Sequence, residues 1–552
     1  MSHPLGDAAT LERIARARHS EKTAPALDAL AWHEFRSLLE ARSAEGERPF
    51  LVFRGGDADR VSWSYARFAA AVEALARRLV HELGVARGDR VALLMHNDPQ
   101  VPISCFACWR IGACVVPVNL GEDDDRIRFV LENARCEVAL ALPQHESRAR
   151  ELQGALPVLR PVVVGDDDEA TGKPSDLPSP EPEDEALIVY TSGTTGAPKG
   201  VVLTQRNLLV DADALRGWND IDPDTRLMCV LPTHHVNGLI VTLVTPFLAG
   251  ASTVLARRFQ TTRFWQWMAE EKVQIVSVVP TLLAFLLEDG DSHEELDLSG
   301  FRHLICGAGP LTVELAARFE GRFGFRILHG YGLSETTCYS CMLPVGLSAE
   351  AHRRWMEAEG FPSVGVPLPP NEMTIHDPGG QALPEGERGE IVVRGVNVML
   401  GYFGRPEANA ETFAHGWFRS GDEGFFRRDA EGRPFFFITG RLKELIIRGG
   451  VNLSPFEIDE VLNRIPGVAR GLAVGFENRW YGEEVGAYVM REEGSSIDEA
   501  GILAACRSEL SYTKSPKVVV FGDDIPVTST GKYQRGRLRP LFEPWRDEQF
   551  RA

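Results

Sequence analysis

Short apolar runs alternate with longer amphipathic stretches from about residue 50 onward. The apolar runs, such as RVALLM at 90–95 and CVVP at 114–117, predict buried strands, because a strand covered on both faces needs no polar positions. The stretches between them repeat apolar residues every three or four positions, which predicts helices. This alternation predicts an α/β fold with mostly parallel sheets. The predicted helices cover 70–83, 102–111 and 123–134, and a further strand covers 138–141.

Two changes in composition divide the chain. Residues 165–185 are rich in Pro, Asp and Glu, so they predict an exposed connector before a buried strand at 186–190. Beyond a second boundary near Gly440 the pattern predicts a small α+β domain, with helices at 455–465 and 498–510 and strands at 471–474, 484–490 and 517–521. The predicted units are an N-terminal region of several α/β subdomains over 1–439, a hinge at 440–444 and a C-terminal domain over 445–552.

Composition and charge narrow the classes of function. The chain has 552 residues, 44% hydrophobic and 25% charged, which is typical of a folded globular protein with more than one domain. Its 59 basic and 78 acidic residues give a net charge of −19, which disfavours binding to nucleic acids and to anionic membranes. No segment reaches the roughly 20 apolar residues of a membrane helix, and residues 1–20 lack the apolar block of a signal peptide. We therefore expect a cytoplasmic protein without stable membrane insertion.

The nine cysteines lie mostly among apolar residues, and two pairs, Cys105/Cys108 and Cys338/Cys341, have C-x-x-C spacing. A zinc ribbon needs two such pairs at ordered spacing, and these pairs lie far apart in the chain. We therefore expect reduced thiols rather than a metal site.

The most informative segment is YTSGTTGAPKG at 190–200. Glycine lets the backbone approach an anion closely, successive N–H groups can surround a phosphate, and hydroxyls add donors. A Walker A loop is excluded, because Pro198 precedes Lys199 and Gly200 follows it where Ser or Thr is required. An ordinary Gly/Thr-rich turn would explain the glycines but not the clustered donors beside one cation. The predicted phosphate-binding residues are Thr191, Ser192, Gly193, Thr194, Thr195, Gly196 and Lys199.

This segment resembles the phosphate loop of the adenylate-forming superfamily, which includes acyl-CoA synthetases, aryl-CoA ligases, luciferases and the adenylation domains of peptide synthetases. The resemblance extends in order from about Val61 to Arg535. It implies an enzyme that uses ATP and Mg²⁺ to convert a carboxylic acid into acyl-AMP, with release of pyrophosphate. The acyl group would then pass to the thiol of coenzyme A. The catalytic residues that the resemblance implies are Lys532, Glu335, His235, Thr191 and Lys199.

Three further motifs resemble nucleotide-binding segments of that superfamily. YGLSETT at 331–337 implies a tyrosine ring near adenine and Mg²⁺ ligation by Glu335, with Thr191 as a second ligand, since Mg²⁺ prefers hard oxygen donors. Outside this motif, Glu335 would be read as an acidic residue at a helix N-terminus. WFRSGD at 417–422 implies that Asp422 accepts hydrogen bonds from the ribose hydroxyls. GAGP at 307–310 resembles the glycine-rich turn that lies along adenine and the acyl pocket. The nucleotide-binding residues implied by these motifs are Gly307, Ala308, Gly309, Tyr331, Gly332, Ser334, Thr336 and Asp422.

The remaining motifs lie at and after the predicted domain boundary. GRLKE resembles the superfamily's domain junction, where Arg441 would contact the nucleotide and Lys443 would be the hinge. GGVN resembles the loop that lines the pantetheine tunnel once a mobile C-terminal domain has rotated, which implies CoA contacts at Gly449 and Gly450. TGKYQR resembles the catalytic-lysine motif, in which Lys532 would offset charge as a carboxylate attacks the α-phosphate. Outside the motif, Lys532 would be read as a solvated surface residue.

The segment PTHHVNG at 232–238 resembles the border of the acyl pocket and places His235 where acyl- and aryl-CoA ligases have histidine. No acidic residue lies between Leu231 and Val244, which disfavours an amino-acid substrate, and Val236 disfavours dihydroxybenzoate. A merely packed role for His235 stays open. The pocket residues expected beside it are apolar or small, which predicts a hydrophobic acyl or aryl-alkyl carboxylate as the substrate. They are Val236, Gly238, Leu239, Ala308, Gly309, Leu333 and Cys338.

Two alternatives to a CoA ligase stay open. The enzyme could load the acyl group onto the phosphopantetheine thiol of an acyl carrier protein, in natural-product or lipid biosynthesis, because a carrier presents the same thiol as coenzyme A. The chain could instead be a non-catalytic nucleotide-binding protein on the same fold. The presence of Lys532, Glu335 and Lys199 disfavours that second alternative.

Overall fold

Strands and helices alternate in the first part of the structure, a computed structural model that describes residues 4–56, 59–165, 176–191, 198–288, 293–527 and 533–550. The predicted helix at 70–83 begins earlier, because the side chain of Ser64 caps the helix N-terminus. The elements up to residue 165 are α1 (Ala8–Arg18), α2 (Ala24–Asp28), α3 (Phe35–Ser43), β1 (Pro49–Arg54), β2 (Arg60–Ser64), α4 (Tyr65–His81), β3 (Arg90–Leu94), α5 (Gln100–Arg110), β4 (Cys114–Pro117), α6 (Asp124–Ala134), β5 (Val138–Ala141), α7 (Glu146–Ala155) and β6 (Arg160–Val163).

The same alternation continues through the middle of the chain, interrupted by a π-helix at Asn237–Val244. Of the predicted acidic connector at 165–185, residues 166–175 lie outside the described residues. The elements here are β7 (Glu185–Thr191), β8 (Lys199–Thr204), α8 (Gln205–Trp218), β9 (Arg226–Cys229), α9 (Thr245–Ala249), β10 (Ser252–Ala256), α10 (Thr261–Glu270), β11 (Ile275–Val278), α11 (Pro280–Glu288), β12 (His303–Cys306), α12 (Val313–Phe323), β13 (Arg326–Tyr331) and β14 (Cys341–Met342).

Strands dominate the segment that leads to the predicted hinge, and the small C-terminal unit follows it. The first group is α13 (Ala349–Glu357), β15 (Val366–Pro367), β16 (Asn371–His376), β17 (Gly389–Gly395), β18 (Gly401–Tyr402), α14 (Pro406–Thr412), β19 (Phe418–Arg428) and β20 (Pro434–Arg441). The second group is β21 (Ile446–Arg448), β22 (Val451–Leu453), α15 (Pro455–Asn463), β23 (Val468–Asn478), β24 (Gly482–Arg491), α16 (Glu499–Glu509) and β25 (Val518–Phe521).

Two large sheets have parallel strands at their centres. In the first, with order β15-β14-β13-β12-β11-β9-β10-β1-β2, the strands from β13 to β1 run parallel and the edges are antiparallel. In the second, with order β18-β8-β7-β4-β3-β5-β6, the strands from β7 to β6 run parallel. Central strands such as β4, β5 and β10 are buried along their whole length, as helices on both faces require. The predicted α/β class with mostly parallel sheets is therefore confirmed.

Two further sheets are mainly antiparallel. One has the order β16-β17-β19-β20 and lies before the predicted hinge, where the sequence pattern does not predict it. The other, with order β22-β21-β24-β23 and β25 beside β24, forms the C-terminal unit together with α15 and α16. From Ile446 onward the chain builds two hydrophobic clusters of its own, which agrees with the expected small α+β unit.

All nine cysteines are buried and unpaired. Burial raises the pKa of Cys136 and of Cys506 to about 12, so both thiols stay protonated at neutral pH. In the described part of the chain, no group of three or more His, Cys, Asp and Glu side chains could hold a metal ion. Within those same residues, no helix combines the length and the apolar character that crossing a membrane would require.

Candidate active site

One cavity of about 1370 Å³ lies where the four sheets meet, and residues from each sheet line it. Large concave sites at the junctions of structural units are the usual places for small-molecule binding. The cavity brings together side chains that are separated by hundreds of positions in the sequence. The predicted site residues that line it are Thr191, Lys199, His235, Ala308, Gly309, Tyr331, Gly332, Ser334, Glu335, Asp422, Arg441 and Lys443.

The predicted phosphate loop joins two antiparallel strands rather than a strand and a helix. Thr191 ends β7, Lys199 begins β8, and the two residues pair across the hairpin. The hydroxyl of Thr191 donates to the backbone oxygen of Lys199 at 3.5 Å. Of the loop itself, Ser192, Gly193, Thr194, Thr195 and Gly196 lie outside the described residues, as does Lys532.

Asp422 is held from two sides inside the cavity. The hydroxyl of Tyr331 donates to its Oδ2 at 2.7 Å, and Nε of Arg441 lies 3.2 Å from its Oδ1. Strands β19 and β20 place Asp422 and Arg441 directly opposite each other. The carboxylate raises the pKa of Arg441, while burial and then the same carboxylate raise the pKa of Tyr331. Both partners therefore remain protonated donors to Asp422 at neutral pH.

A bulge in β19 just before Asp422 fixes the direction of its side chain. Gly421 has φ +73°, a backbone conformation that favours glycine, and its N–H donates to Oε1 of Glu390 at 2.9 Å. The hydroxyl of Ser420 donates to the backbone oxygen of Ile391 at 2.6 Å and accepts from the N–H of Asp422 at 3.0 Å. The hydroxyl of Ser420 therefore connects β17 with the backbone of Asp422.

Glu335 lies in the 3₁₀ turn Ser334–Thr336 and is only 9% exposed, although it lines the cavity. Its Oε1 accepts a hydrogen bond from the hydroxyl of Tyr402 at 2.8 Å. The ring of the same tyrosine lies 4.7 Å from the ammonium of Lys199, close enough for a cation–π contact. Tyr402 thus connects the predicted Mg²⁺ ligand with the predicted phosphate-binding lysine. Sequence reasoning missed it, because a tyrosine after an apolar run gives no local signal of function.

The turn that carries Glu335 is strained and is held from outside. Thr337 has φ +66° and ψ −62°, which is unfavourable for a β-branched residue. Its hydroxyl donates to the backbone oxygen of Asn397 at 2.7 Å, and the side-chain amide of Asn397 donates to Thr336 O at 3.1 Å and to Asp211 Oδ1 at 3.0 Å. Burial raises the pKa of Asp211 to about 8. These buried contacts impose the conformation of the turn.

Two of the predicted nucleotide-binding residues do not line the cavity. The side chain of Thr336 is fully buried, and its hydroxyl accepts from the N–H of Leu333 at 3.1 Å and from Ser340 at 2.8 Å. Gly307 lies against Tyr339, since a Cβ at this position would be 2.5 Å from the tyrosine oxygen. In this structure both positions therefore support the neighbouring wall.

Histidines and apolar side chains both line the cavity. The rings of His234 and His235 lie 4.2 Å apart, and both residues line the cavity. Burial lowers the pKa of His234 to about 4, so its ring is neutral at pH 7. Val236, which the sequence places in the pocket, is buried and is not among the residues that line the cavity. Apolar residues that line the cavity, together called its apolar wall below, include Pro280, Ala284 and Leu287 of α11 and Leu311 and Leu333.

The C-terminal unit closes the cavity from one side. The residues that follow Lys532 line it, namely Tyr533, Gln534, Arg535, Gly536, Arg537 and Arg539. Arg535 is buried and fixed to α15 through a bond from Nη1 to Oδ1 of Asp459 at 3.0 Å. Gly449 and Gly450 form the exposed turn between β21 and β22 and do not line the cavity. Lys443 is exposed in the turn between β20 and β21.

Comparison with known proteins agrees with this organisation. The profile described as AMP-binding enzyme matches residues 39–403, and the profile described as AMP-binding enzyme C-terminal domain matches residues 457–532. The sulfoacetate–CoA ligase of Cupriavidus necator is 36% identical over 465 residues, which cover 82% of this chain and 88% of the relative. The feruloyl-CoA synthase of an Amycolatopsis species is 35% identical over 479 residues, which cover 87% of this chain and 94% of that enzyme.

One enzyme of similar fold has been solved both with and without ATP. ATP-bound MatB from Rhodopseudomonas palustris is 27% identical and aligns over 93% of this chain and 99% of its own, with a TM-score of 0.81. Apo MatB from the same source aligns over the same shares with a TM-score of 0.71. Identity and coverage are equal for the two structures, and only the TM-scores differ. The structure described here is thus closer to the ATP-bound form.

Proposed function

The chain belongs to the AMP-binding enzyme family, and from this premise we propose how its residues divide the work of an AMP-forming acid–thiol ligase. The enzyme activates a carboxylic acid with ATP to give acyl-AMP and pyrophosphate, and it then transfers the acyl group to coenzyme A. The observation that carries the proposal is the shared cavity, in which the phosphate hairpin, Glu335 and the Tyr331–Asp422–Arg441 cluster face the segment after Lys532.

In the first half-reaction, an oxygen of the substrate carboxylate attacks the α-phosphorus of ATP, the bond to the bridging oxygen breaks, and pyrophosphate leaves. Lys199 at the base of the hairpin attracts the phosphates. Asp422, held by Tyr331 and Arg441, accepts from the ribose hydroxyls. Lys532 offsets the charge that develops at the α-phosphate. Most of the acceleration then comes from positioning and from fixed charges.

The residues present fit one Mg²⁺ ion. Mg²⁺ on nucleotides is usually held by one or two carboxylates together with phosphate oxygens and water, so a single acidic side chain is sufficient. Glu335 offers a hard carboxylate at the cavity wall, and the bond from Tyr402 orients it through one oxygen. We assign the other oxygen of Glu335 and the hydroxyl of Thr191 to the ion. When bound, Mg²⁺ neutralises charge on the phosphates of ATP.

We place the non-reacting part of the substrate acid along α11. The apolar side chains there favour a hydrophobic acyl or aryl-alkyl tail, with the carboxylate near His235. The names of the two relatives refer to a small sulfonated acid and to an aromatic acid. We therefore choose between these two substrate classes from the composition of the cavity wall. An aromatic or longer aliphatic acid would bury the apolar wall, whereas a small anionic acid would leave most of it in contact with water.

In the second half-reaction, the thiol sulfur attacks the acyl carbon, the bond to the AMP oxygen breaks, and the thiol proton is released. We propose that the C-terminal unit first rotates about Lys443, which withdraws Lys532 and brings Gly449 and Gly450 to the cavity. Glycine suits that turn, because a thiol arm must pass close to the backbone and both residues have positive φ. Coenzyme A is the acceptor in this scheme, and a carrier-protein thiol is the competing one.

Two assays test the proposal. Exchange of labelled pyrophosphate into ATP is measured with a panel of acids that varies tail polarity and length, and hydrophobic or aryl-alkyl acids are expected to support the fastest exchange. AMP release is then measured with the best acid and either coenzyme A or a holo-carrier protein. Preference for a short anionic acid would refute the proposed substrate class. A requirement for the carrier protein would refute coenzyme A as the acceptor.

A further inference from the structure

A contact between the two sides of the cleft joins α12 of the N-terminal region to α15 of the C-terminal unit. The backbone N–H of Val313, the first residue of α12, donates to Oε1 of Glu460 at 2.8 Å. The side chain of Thr312 caps the same helix end but accepts from Leu315 N. The donor at Val313 is therefore satisfied by a side chain 147 residues away, on the unit that is proposed to move.

The surroundings of Glu460 both bury its carboxyl group and supply groups that interact with it. Glu460 is 8% exposed, so its carboxyl has lost most of its water. Burial raises its pKa to about 7, and the bond from Val313 and the charge of Arg464 oppose that rise. Asp459 on its own helix and Glu314 on the facing helix contribute to the rise. A buried acidic group that crosses a movable interface does little for the stability of either unit alone.

The residues that line the cavity show in which orientation of the C-terminal unit the bond between Val313 and Glu460 forms. In the structure the segment after Lys532 lines the cavity, while the turn at Gly449 and Gly450 does not. This is the arrangement expected for acyl-AMP formation, and it is the one closer to ATP-bound MatB. Rotation of the C-terminal unit would carry α15 away from α12 and break the bond to Val313.

We propose that Glu460 is a positioning residue for the first half-reaction: by accepting from the N-terminus of α12, it holds the C-terminal unit in the orientation that forms acyl-AMP. The inference rests on the proposed rotation about Lys443. It differs from a purely structural role for Glu460, because it predicts unequal effects on the two half-reactions. A loss of stability would slow both.

Both partners of the bond can be changed independently. Glu460→Ala removes the acceptor, whereas Glu460→Gln keeps a carbonyl oxygen and removes the charge. Val313→Pro removes the donor from the other side; proline is favoured at the first position of a helix, and Thr312, with ψ 152°, already has the extended backbone favoured before proline. Glu493→Gln changes an exposed glutamate of the same unit and is the matched control.

The experiment measures acyl-AMP formation in a single turnover, and thioester formation from supplied acyl-AMP with coenzyme A. Glu460→Ala and Val313→Pro should each slow the first step about tenfold, as expected for a lost hydrogen bond to a carboxyl group, and should leave the second step unchanged or faster. Glu460→Gln should restore the first step. The double variant Val313→Pro/Glu460→Ala should be no slower than either single variant, because both changes remove the same bond.

Equal losses in both steps, additive losses in the double variant, or no loss in Glu460→Ala would each overturn the proposal. Lys443→Pro separates a failure of this inference from a failure of the underlying scheme. If Lys443→Pro affects the two steps unequally while Glu460→Ala affects neither, rotation stands and Glu460 has no positioning role. If Lys443→Pro slows both steps equally, the scheme of two orientations itself fails.

Discussion

Replacing Tyr402 with phenylalanine tests how Glu335 is held for Mg²⁺. The change removes the hydroxyl that donates to Glu335 at 2.8 Å and keeps the ring that faces Lys199 at 4.7 Å. The carboxylate of Glu335 would then sample more rotamers, so a larger part of the binding energy of the ion would be spent on ordering it. We expect half-maximal activity to require a higher Mg²⁺ concentration, while phosphate binding by Lys199 changes little.

The structure sets the size of this effect. A hydrogen bond to a charged group contributes about 1.5–3 kcal/mol. The backbone of the turn stays in place in the variant, because Met399 N–H still donates to Glu335 O at 2.9 Å and Asn397 still holds Thr336. Only side-chain order is lost, so the lower end of that range applies. A loss of about 1.5 kcal/mol corresponds to roughly a tenfold rise in the Mg²⁺ concentration that gives half-maximal activity.

Pyrophosphate exchange measured across a Mg²⁺ titration, at saturating ATP and acid, gives that concentration directly. Calorimetric titration with ATP, in the presence and absence of Mg²⁺, supplies a second readout that does not depend on turnover. We expect Tyr402→Phe to match the wild type in the absence of the ion and to bind more weakly in its presence. Tyr402→Leu is the comparison variant, because it also removes the ring beside Lys199 and should weaken ATP binding under both conditions.

An unchanged Mg²⁺ requirement in Tyr402→Phe, together with lower activity at saturating Mg²⁺, would refute this reasoning. It would show that the hydroxyl acts on the reaction rather than on the position of the carboxylate. An unfolding temperature measured for each variant controls for damage to the fold.

Three other predictions concern the C-terminal unit. Lys532→Ala should slow acyl-AMP formation severely and leave thioester formation from supplied acyl-AMP nearly normal; equal losses in stopped-flow assays of the two steps would contradict the role given to the lysine. Gly450→Leu should do the reverse, since a side chain at φ +82° strains the turn proposed to line the thiol tunnel, and an unchanged KM for coenzyme A would remove the turn from that tunnel. The third prediction concerns pH: burial raises the pKa of Glu460 from its ordinary value of 4.5 to about 7 in this orientation, and the proposed rotation would return the carboxyl to water, so the docked form holds its proton more tightly. The resulting preference for docking is full below about pH 4.5 and is lost as the pH rises to about 7. The rate of acyl-AMP formation in the wild type, divided by the rate in Glu460→Gln, should fall across that interval, and a flat ratio would contradict the linkage.

Much of the fold follows from local pattern. Strands β4 and β5 begin and end at their predicted residues, Cys114–Pro117 and Val138–Ala141, because a strand buried on both faces is a continuous apolar run. The helices at Asp124–Ala134 and Glu499–Glu509 start where Asp123 and Asp498 cap them. These signals come from residues that are neighbours in the sequence, so they do not depend on contacts with distant parts of the chain.

The parts that were missed depend on contacts between distant residues. Tyr402 meets Glu335 across 67 positions, and Glu460 meets Val313 across 147. No periodicity links such positions, so only the packed chain reveals that a tyrosine after an apolar run orients a carboxylate. The antiparallel sheet that carries Asp422 was missed for a related reason. Its strands read as ordinary apolar segments, and their direction depends on the turns and partners that the fold supplies.

The burial of all nine cysteines makes the natural protein a clean background for spectroscopy. Alkylating dyes and spin labels react with thiolates that solvent can reach, and these protonated, enclosed thiols present neither feature. A cysteine engineered onto the exposed surface of each unit would therefore accept a label without prior removal of the native ones. Inter-label distances recorded with ATP, with acyl-AMP and with coenzyme A would then measure the proposed rotation of the C-terminal unit through one catalytic cycle.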